Sequence, residues 1–482
     1  ALERATETPL SIALSPETLE GWSEAAASPR GASARESLER LRTQVSAPTR
    51  QLLAQPYAPL DLLSLSQAGL LEEAVAAHER GVSTLGGMLG GAPKGALLGG
   101  TVDSASLPLL QRVGAERVVL DAASLVPIQE RLTLARPFEV GATGSAVTAV
   151  VADQVTSGLL GAEVPPRLLA ARLLAELTLV ALEAPADTRG IAMVSPYGCD
   201  PADEFLDATL EALTGHPALR TATLDGLFGS VAPLPRRGGA SARRLVESRP
   251  PARGSTRRLG ADPEQLSAQR QRLETFASVT GRESPAWTRA ERCLLLALSP
   301  QSGSPQSGPS RTATAARREA ARYLSGAKGA IDRVVERVRA PDGDTITLTS
   351  RRAGVPILVQ NGASVPVQIR LRVESDKLAF PAGNERLLLL PTRTSTEHFT
   401  VEAKTSGAIP LRITITSPDG SLLLTESSLT IRSTAVSGVG AMLTAAAGGF
   451  LLFWWGREFR KRRRCRTRGS RELGEPVVDS SE

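Results

Sequence analysis

The amino-acid sequence predicts an α/β N-terminal domain on a parallel sheet or partial barrel, a helical middle, an immunoglobulin-like β-sandwich and a single C-terminal transmembrane helix. Three observations carry this. Apolar strands alternate with helical stretches up to residue 232, the hydrophobic period falls to two between 342 and 432, and an uncharged run of 22 residues at 434–455 is followed at once by cations. At 482 residues the chain is longer than the roughly 250–300 at which one core stops growing. The expected parts are an α/β domain at 1–232, an Arg/Pro/Gly linker at 233–261 and a helical region with a disordered insert at 262–340. The sandwich at 342–432, the membrane span at 434–455 and a basic tail at 456–482 complete the chain.

The N-terminal elements read in order. Residues 9–14 (PLSIAL), 51–55, 96–102, 117–120, 146–152 and 190–194 are short apolar strands, and each runs into a helix start. The stretch 167–182 is a long apolar-striped helix. Such a βαβα rhythm implies a largely parallel sheet. Acidic residues follow several strands: Asp103, Asp121 and Asp153 directly, Asp61 and Asp200 after a short turn. At the C-terminal strand ends of a barrel, paired carboxylates serve acid–base sugar chemistry. Asp is equally a preferred helix N-cap after a strand, because it accepts bonds from free backbone N–H groups, and Asp103 and Asp200 suit that role. Capping outweighs catalysis here, so no catalytic residue is assigned and Asp103, Asp121 and Asp153 stand as weak candidates. The glycine-rich stretch 86–100 carries Lys94 but no Lys-Ser/Thr phosphate-loop pair, and reads as a surface loop.

The middle has an Arg-rich segment from Arg236 to Arg258, then helices at 263–279, 287–298 and 315–338, split by the low-complexity insert 299–310. From 344 the strands alternate, as in Val367-Gln368-Ile369-Arg370-Leu371, with turn signals at Asn361-Gly362, 381–384 and Pro418-Asp419-Gly420. Seven short strands in about 90 residues point to the sandwich.

As a helix, the run 434–455 spans about 33 Å, against a hydrocarbon core of about 30 Å. Phe450, Leu451, Leu452 and Phe453 supply most of its hydrophobicity, and Trp454 and Trp455 suit the membrane interface. Arg457, Arg460, Lys461, Arg462, Arg463, Arg464, Arg466 and Arg468 follow, a cluster that stays cytoplasmic and leaves the bulk of the chain outside the plasma membrane. Gly440, Thr444 and Gly448 recur every fourth residue, a spacing that admits a second helix; chance in an Ala/Gly-rich chain explains it equally well.

Composition narrows the chemistry. The net charge is +6, but nine basic and five acidic residues after Gly456 account for +4, leaving about +2 for everything before. With 3% aromatics and no basic face interleaved with them, nucleic acid is not an expected partner. The three histidines, His78, His216 and His398, show no metal-ligand spacing, so neither metal nor cofactor is expected. Cys199 and Cys293 could pair outside the cell, Cys465 could not, and nothing in the spacing brings the first two together. Ala1 is not preceded by Met or an apolar signal region, so an exported chain has lost one.

The segments 344–350 (DTITLTS), 355–361 (VPILVQN), 365–371, 409–420 and 429–433 (LTIRS), flowing into a Gly/Ala helix and an Arg tail, resemble an uncharacterised family of actinobacterial membrane-anchored envelope proteins, often encoded beside the lipid II flippase. The strand at 9–16 and the motif Pro196-Tyr197 are also similar to that family. The resemblance implies location and architecture, with no catalytic residues to carry over. The expected function is an extracytoplasmic scaffold or binding protein of the cell envelope, supporting cell-wall assembly, with membrane lipid, cell-wall proteins or glycan as partners. A carbohydrate-active enzyme with a degenerate barrel and a single-pass signalling receptor are the alternatives.

Overall fold

In a computed structural model, the structure describes residues 5–91, 93, 97–128, 132–141, 146–160, 162, 164–195, 199–236, 242–247, 259–299, 309–433 and 438–466. Two compact units divide it, one of 1–274 and 285–331, the other of 275–284 and 332–482.

In the first unit the chain runs β1 (Leu10–Ile12), α1 (Pro16–Ala27), α2 (Ala32–Val45), β2 (Arg50–Leu52), α3 (Leu62–Gln67), α4 (Leu71–Leu89), β3 (Leu97–Gly100), α5 (Leu107–Arg112), β4 (Arg117–Leu120), β5 (Phe138–Val140) and β6 (Val147–Val151). Helices α6 (Gln154–Leu159), α7 (Pro166–Glu183), α8 (Asp203–Leu213) and α9 (Leu224–Ser230) follow. Then come α10 (Pro263–Thr280), α11 (Pro285–Ala297) and α12 (Pro309–Val335). Strands β3, β4 and β6 are parallel neighbours, with β5 antiparallel at the edge of β6, while β1 and β2 form a separate parallel pair. Val118, Val119 and Leu120 of β4 are all buried, as expected of a strand covered on both faces by helices. Val119 and Val150 pack with Leu227 and Val231 at α9.

Several expectations are corrected. The 86–100 stretch is no simple loop: α4 continues to Leu89 and β3 starts at Leu97, because Gly86 and Gly87 are tolerated inside a long helix. The strand expected at 190–194 reduces to one parallel bridge, Ala152 to Ala192. Asp200 caps nothing, since α8 starts at Asp203 after Ala202. Parts of the expected linker are docked: Leu245 pairs with Leu125, the Leu234 amide donates to Pro137, and Arg236 pairs with Glu139. Of the helices in the middle region, α11 and most of α12 fall in the same unit as the α/β elements. Of the insert expected at 299–310, Pro309 and Ser310 open α12, while 300–308 and the Pro196-Tyr197 motif lie outside the described residues.

Gly81 shows how tightly α4 seats. A Cβ there would stand 2.1 Å from the Gln55 carbonyl oxygen and 2.6 Å from the Tyr57 nitrogen. Only hydrogen fits, so the chain after β2 lies directly on the helix and the Tyr57 amide donates to Ala77 at 2.7 Å.

The second unit holds β7 (Val338–Arg339), β8 (Thr345–Leu348), β9 (Arg352–Asn361), β10 (Val367–Glu374), β11 (Leu378–Ala379), β12 (Glu385–Leu390), β13 (Thr394–Ala403), β14 (Gly407–Thr416), β15 (Leu423–Ser433) and α13 (Gly438–Arg466). One sheet has the order β12-β10-β14-β15-β8, with β8 parallel to β15; the other is β11-β13-β9-β7. Each buries alternate side chains: Ile369, Leu371 and Val373 in the first, Val355, Ile357 and Val359 in the second. Two sheets with one dry face each make a β-sandwich. The Asn361 amide group donates to Val365 and Leu390 while its oxygen accepts from Ala363, the Gly383 amide donates to Phe380 with φ +85°, and Gly420 takes φ +83° in the Pro418-Asp419-Gly420 turn, so all three expected turns are present.

Candidate functional site

The C-terminal ends of β3, β4 and β6 carry the carboxylates singled out in the sequence. Asp103 is 2% exposed. Its Oδ1 accepts from the Ser106 amide (3.0 Å) and hydroxyl (2.9 Å), closing a capping box over the turn Ser104–Ser106. Its Oδ2 is buried and has no hydrogen-bond partner among the described residues. Asp121 Oδ2 accepts from the Thr101 hydroxyl at 2.9 Å. Asp153 Oδ1 caps α6, accepting from the Thr156 amide (2.8 Å) and hydroxyl (2.7 Å). Asp61 caps α3 in the same manner. Capping therefore occupies an oxygen of Asp103 and of Asp153, and no group of three or more His, Cys, Asp or Glu able to hold a metal occurs among the described residues.

A denser polar cluster, absent from the sequence reading, joins α1, α4, α11 and the chain after β2. The Tyr57 ring is fully buried. Its hydroxyl donates to Glu20 Oε2 (2.5 Å) and accepts from Arg292 Nε (2.9 Å). Arg292 also pairs with Glu20 (3.0 Å) and Glu24 (2.5 Å). Arg80 bonds Glu20 at 3.0 Å, lies 3.8 Å from Glu291 and sits over the Tyr57 ring, 6.0 Å from its centroid. Burial first, then the hydrogen bond to Glu20, pushes the Tyr57 hydroxyl well above its ordinary pKa. Desolvation works against the Arg292 charge, yet Glu24, Tyr57 and Glu20 together hold that guanidinium more firmly protonated than usual. These residues stand up to 272 positions apart, with no local motif to mark them.

Beside it, a cavity of about 150 Å³ opens between β3 and helices α3, α4 and α5, lined mainly by Leu60, Leu62, Leu97, Leu109 and Leu110, with Gln55 and His78 as its polar groups. Burial lowers the His78 pKa, against a small opposing pull from Glu79. Cys199 and Cys293 are not joined in a disulfide, and Cys199 Sγ contacts the Leu160 carbonyl oxygen at 3.0 Å.

The expected anchor residues lie on α13. Phe450, Leu451, Leu452, Phe453, Trp454 and Trp455 are 55–75% exposed, and Arg457 and Arg460 come after them on the same helix. Among the described residues no helix is long and apolar enough to cross a membrane. The 434–437 part of the uncharged run lies outside the described residues, as does Arg468; large apolar side chains described on α13 run from Met442 to Trp455, and Phe459 follows between Arg457 and Arg460. Gly440, Thr444 and Gly448 all fall within α13.

Comparison with solved structures finds the 4-α-glucanotransferase of Thermococcus litoralis (11% identity, TM-score 0.40, 86% of this chain and 81% of that one) and an α-mannosidase of Enterococcus faecalis V583 (12%, 0.41, 87% and 57%). WR4, a C. elegans MSP family member, overlaps 20% of this chain and 99% of its own at 6% identity and TM-score 0.17. Among curated proteins the chain finds no match. The model of a family of unknown function, DUF6049, matches residues 20–470, and the chain belongs to that family.

Proposed function

We infer that the chain is a membrane-anchored scaffold or binding protein of an actinobacterial cell envelope, its bulk extracytoplasmic and its C-terminus cytoplasmic, supporting cell-wall assembly. One observation carries this: α13 exposes apolar side chains on every side from Met442 to Trp455 and then gathers its cations at one end only. A helix apolar all round is out of place in water and at home in lipid or against other helices. On this reading the sandwich is immunoglobulin-like, with β8 laid parallel beside the final strand β15, and stands next to the membrane. The test is affinity isolation of the tagged full chain from its native membranes after a carbonate wash. Retention in the pellet with co-recovery of cell-wall enzymes supports the role. Release by carbonate sinks the anchor, and recovery of lipid alone sinks the scaffold.

A second reading rests on the unpartnered, buried Oδ2 of Asp103 at a strand end, where a glycan-processing enzyme places its carboxylates. The protein incubated with cell-wall glycan then releases product and Asp103→Asn abolishes release; no product from the wild-type protein ends that reading.

A further inference from the structure

Helix α7 has the wrong outer face for a solvent-covered helix. Its inner face is accounted for: Leu169, Ala170 and Leu173 are buried and pack with Leu159 of α6 and Phe205 of α8. On the opposite side Leu168, Leu179 and Leu182 are each 60% exposed, and Ala171 and Ala175 between them are exposed as well. At 3.6 residues per turn, Leu168, Ala175, Leu179 and Leu182 fall within about 60° of one another, so they form one continuous stripe. A helix covering a soluble domain turns polar residues outward. Here the charged residues of α7 are only Arg167, Arg172, Glu176 and Glu183.

We propose that this stripe is a self-complementary surface through which two copies of the chain pair, their α7 helices antiparallel about a two-fold axis at Ala175. Antiparallel pairing about that residue sets Leu168 opposite Leu182 of the second copy and Ala171 opposite its Leu179, so large side chains meet small ones at the inner positions. Ala175 meets itself, where a small side chain lets the helices approach. The charges fit the same register. Arg172 and Glu176 lie on one edge of the stripe, and a two-fold axis across the helices keeps like edges together. Arg172 of each copy then stands within about 3 Å, measured along the axis, of Glu176 of the other. No ion pair engages either residue within the chain among the described residues. A second copy thus supplies both the apolar cover and the opposite charge. One helix pair buries less than the roughly 800 Å² per partner of a standard stable interface, so the dimer is weak and concentration-dependent.

Cysteine cross-linking of the full chain tests the register. In a background carrying Cys199→Ser, Cys293→Ser and Cys465→Ser, Ala175→Cys lies on the axis and joins to its own copy under mild oxidation. Arg167→Cys, exposed on the same helix but off the stripe, serves as control. The expected result is a covalent dimer for Ala175→Cys, at least tenfold more than for the control, which Leu179→Glu abolishes. Arg172→Glu weakens the cross-link, and Arg172→Glu with Glu176→Arg restores it. Equal yields from Ala175→Cys and Arg167→Cys, or a yield untouched by Leu179→Glu, overturn the proposal. Because Leu179 is on the surface, circular dichroism of Leu179→Glu matching the parent confirms that its loss is one of association and not of folding.

Discussion

Replacing Arg292 by Met keeps a long apolar stem on α11 and removes every polar contact of the guanidinium. Three contacts go: the bond to the Tyr57 hydroxyl at 2.9 Å, the pair with Glu20 at 3.0 Å and the pair with Glu24 at 2.5 Å. They are not equal. The Glu24 side chain is 65% exposed, so that pair adds only some tenths of a kcal/mol. Glu20 keeps Arg80 at 3.0 Å and the Tyr57 hydroxyl at 2.5 Å, so its carboxylate is not orphaned. The Tyr57 bond joins a charged donor to a buried hydroxyl and sits at the upper end for neutral acceptors, near 1.5–2 kcal/mol. The expected cost is therefore about 2–3 kcal/mol, felt where α11 meets α1 and α4. Hydrogen exchange reads it locally, since each 1.36 kcal/mol changes an opening equilibrium tenfold. Amides of α11 in Arg292→Met should exchange about 30- to 160-fold faster while those of β9, β10 and β14 keep their rates. Acceleration of less than threefold, or the same acceleration in the sandwich strands, would show that the cluster does not hold α11.

Other perturbations have equally direct outcomes. Gly81→Ala forces a methyl group against the Gln55 backbone and should cost about 3 kcal/mol in urea unfolding; a loss under about 1 kcal/mol contradicts the close approach. Asp153→Ala removes the α6 cap and should cost about 1 kcal/mol, whereas Asp153→Asn, which still accepts from Thr156, should cost much less; equal losses would point to another role. His78 has its folded pKa lowered below the unfolded 6.5, so the unfolded chain binds the extra proton and stability is full above about pH 7 and declines as pH falls through 6.5. Melting temperatures at pH 7.5 and 5.0 should differ less in His78→Gln than in the parent, and an unchanged difference excludes His78 as the source.

What could be read in advance was local. Ile369, Leu371 and Val373 alternate with Gln368, Arg370 and Arg372, so one face is dry whatever the partner sheet, and period alone identifies the strand. Asp103 and Asp153 cap because a strand ending at Asp before a helix start places the carboxylate beside free amides, which is again a short-range effect. Asp200 follows the same spelling and fails, because α8 starts at Asp203 and leaves Asp200 ahead of its cap residue, Ala202. The Tyr57 cluster was illegible for the opposite reason. Glu20, Tyr57, Arg80 and Arg292 look like ordinary surface residues of four separate segments, and only tertiary folding brings Glu20 within 3.0 Å of each of the other three. Periodicity found α7 as an apolar-striped helix, but it could not tell which of its apolar side chains the rest of the fold leaves uncovered.

The interleaving of the two units has a practical consequence. Residues 275–284 belong with 332–482, while 285–331 return to the company of 1–274, so the polypeptide passes from one unit to the other three times. No single cut liberates a complete piece. A fragment stopping at 274 forfeits α11 and with it Arg292, and one starting at 332 lacks 275–284, so deletion phenotypes from either would report broken folding before they reported biology.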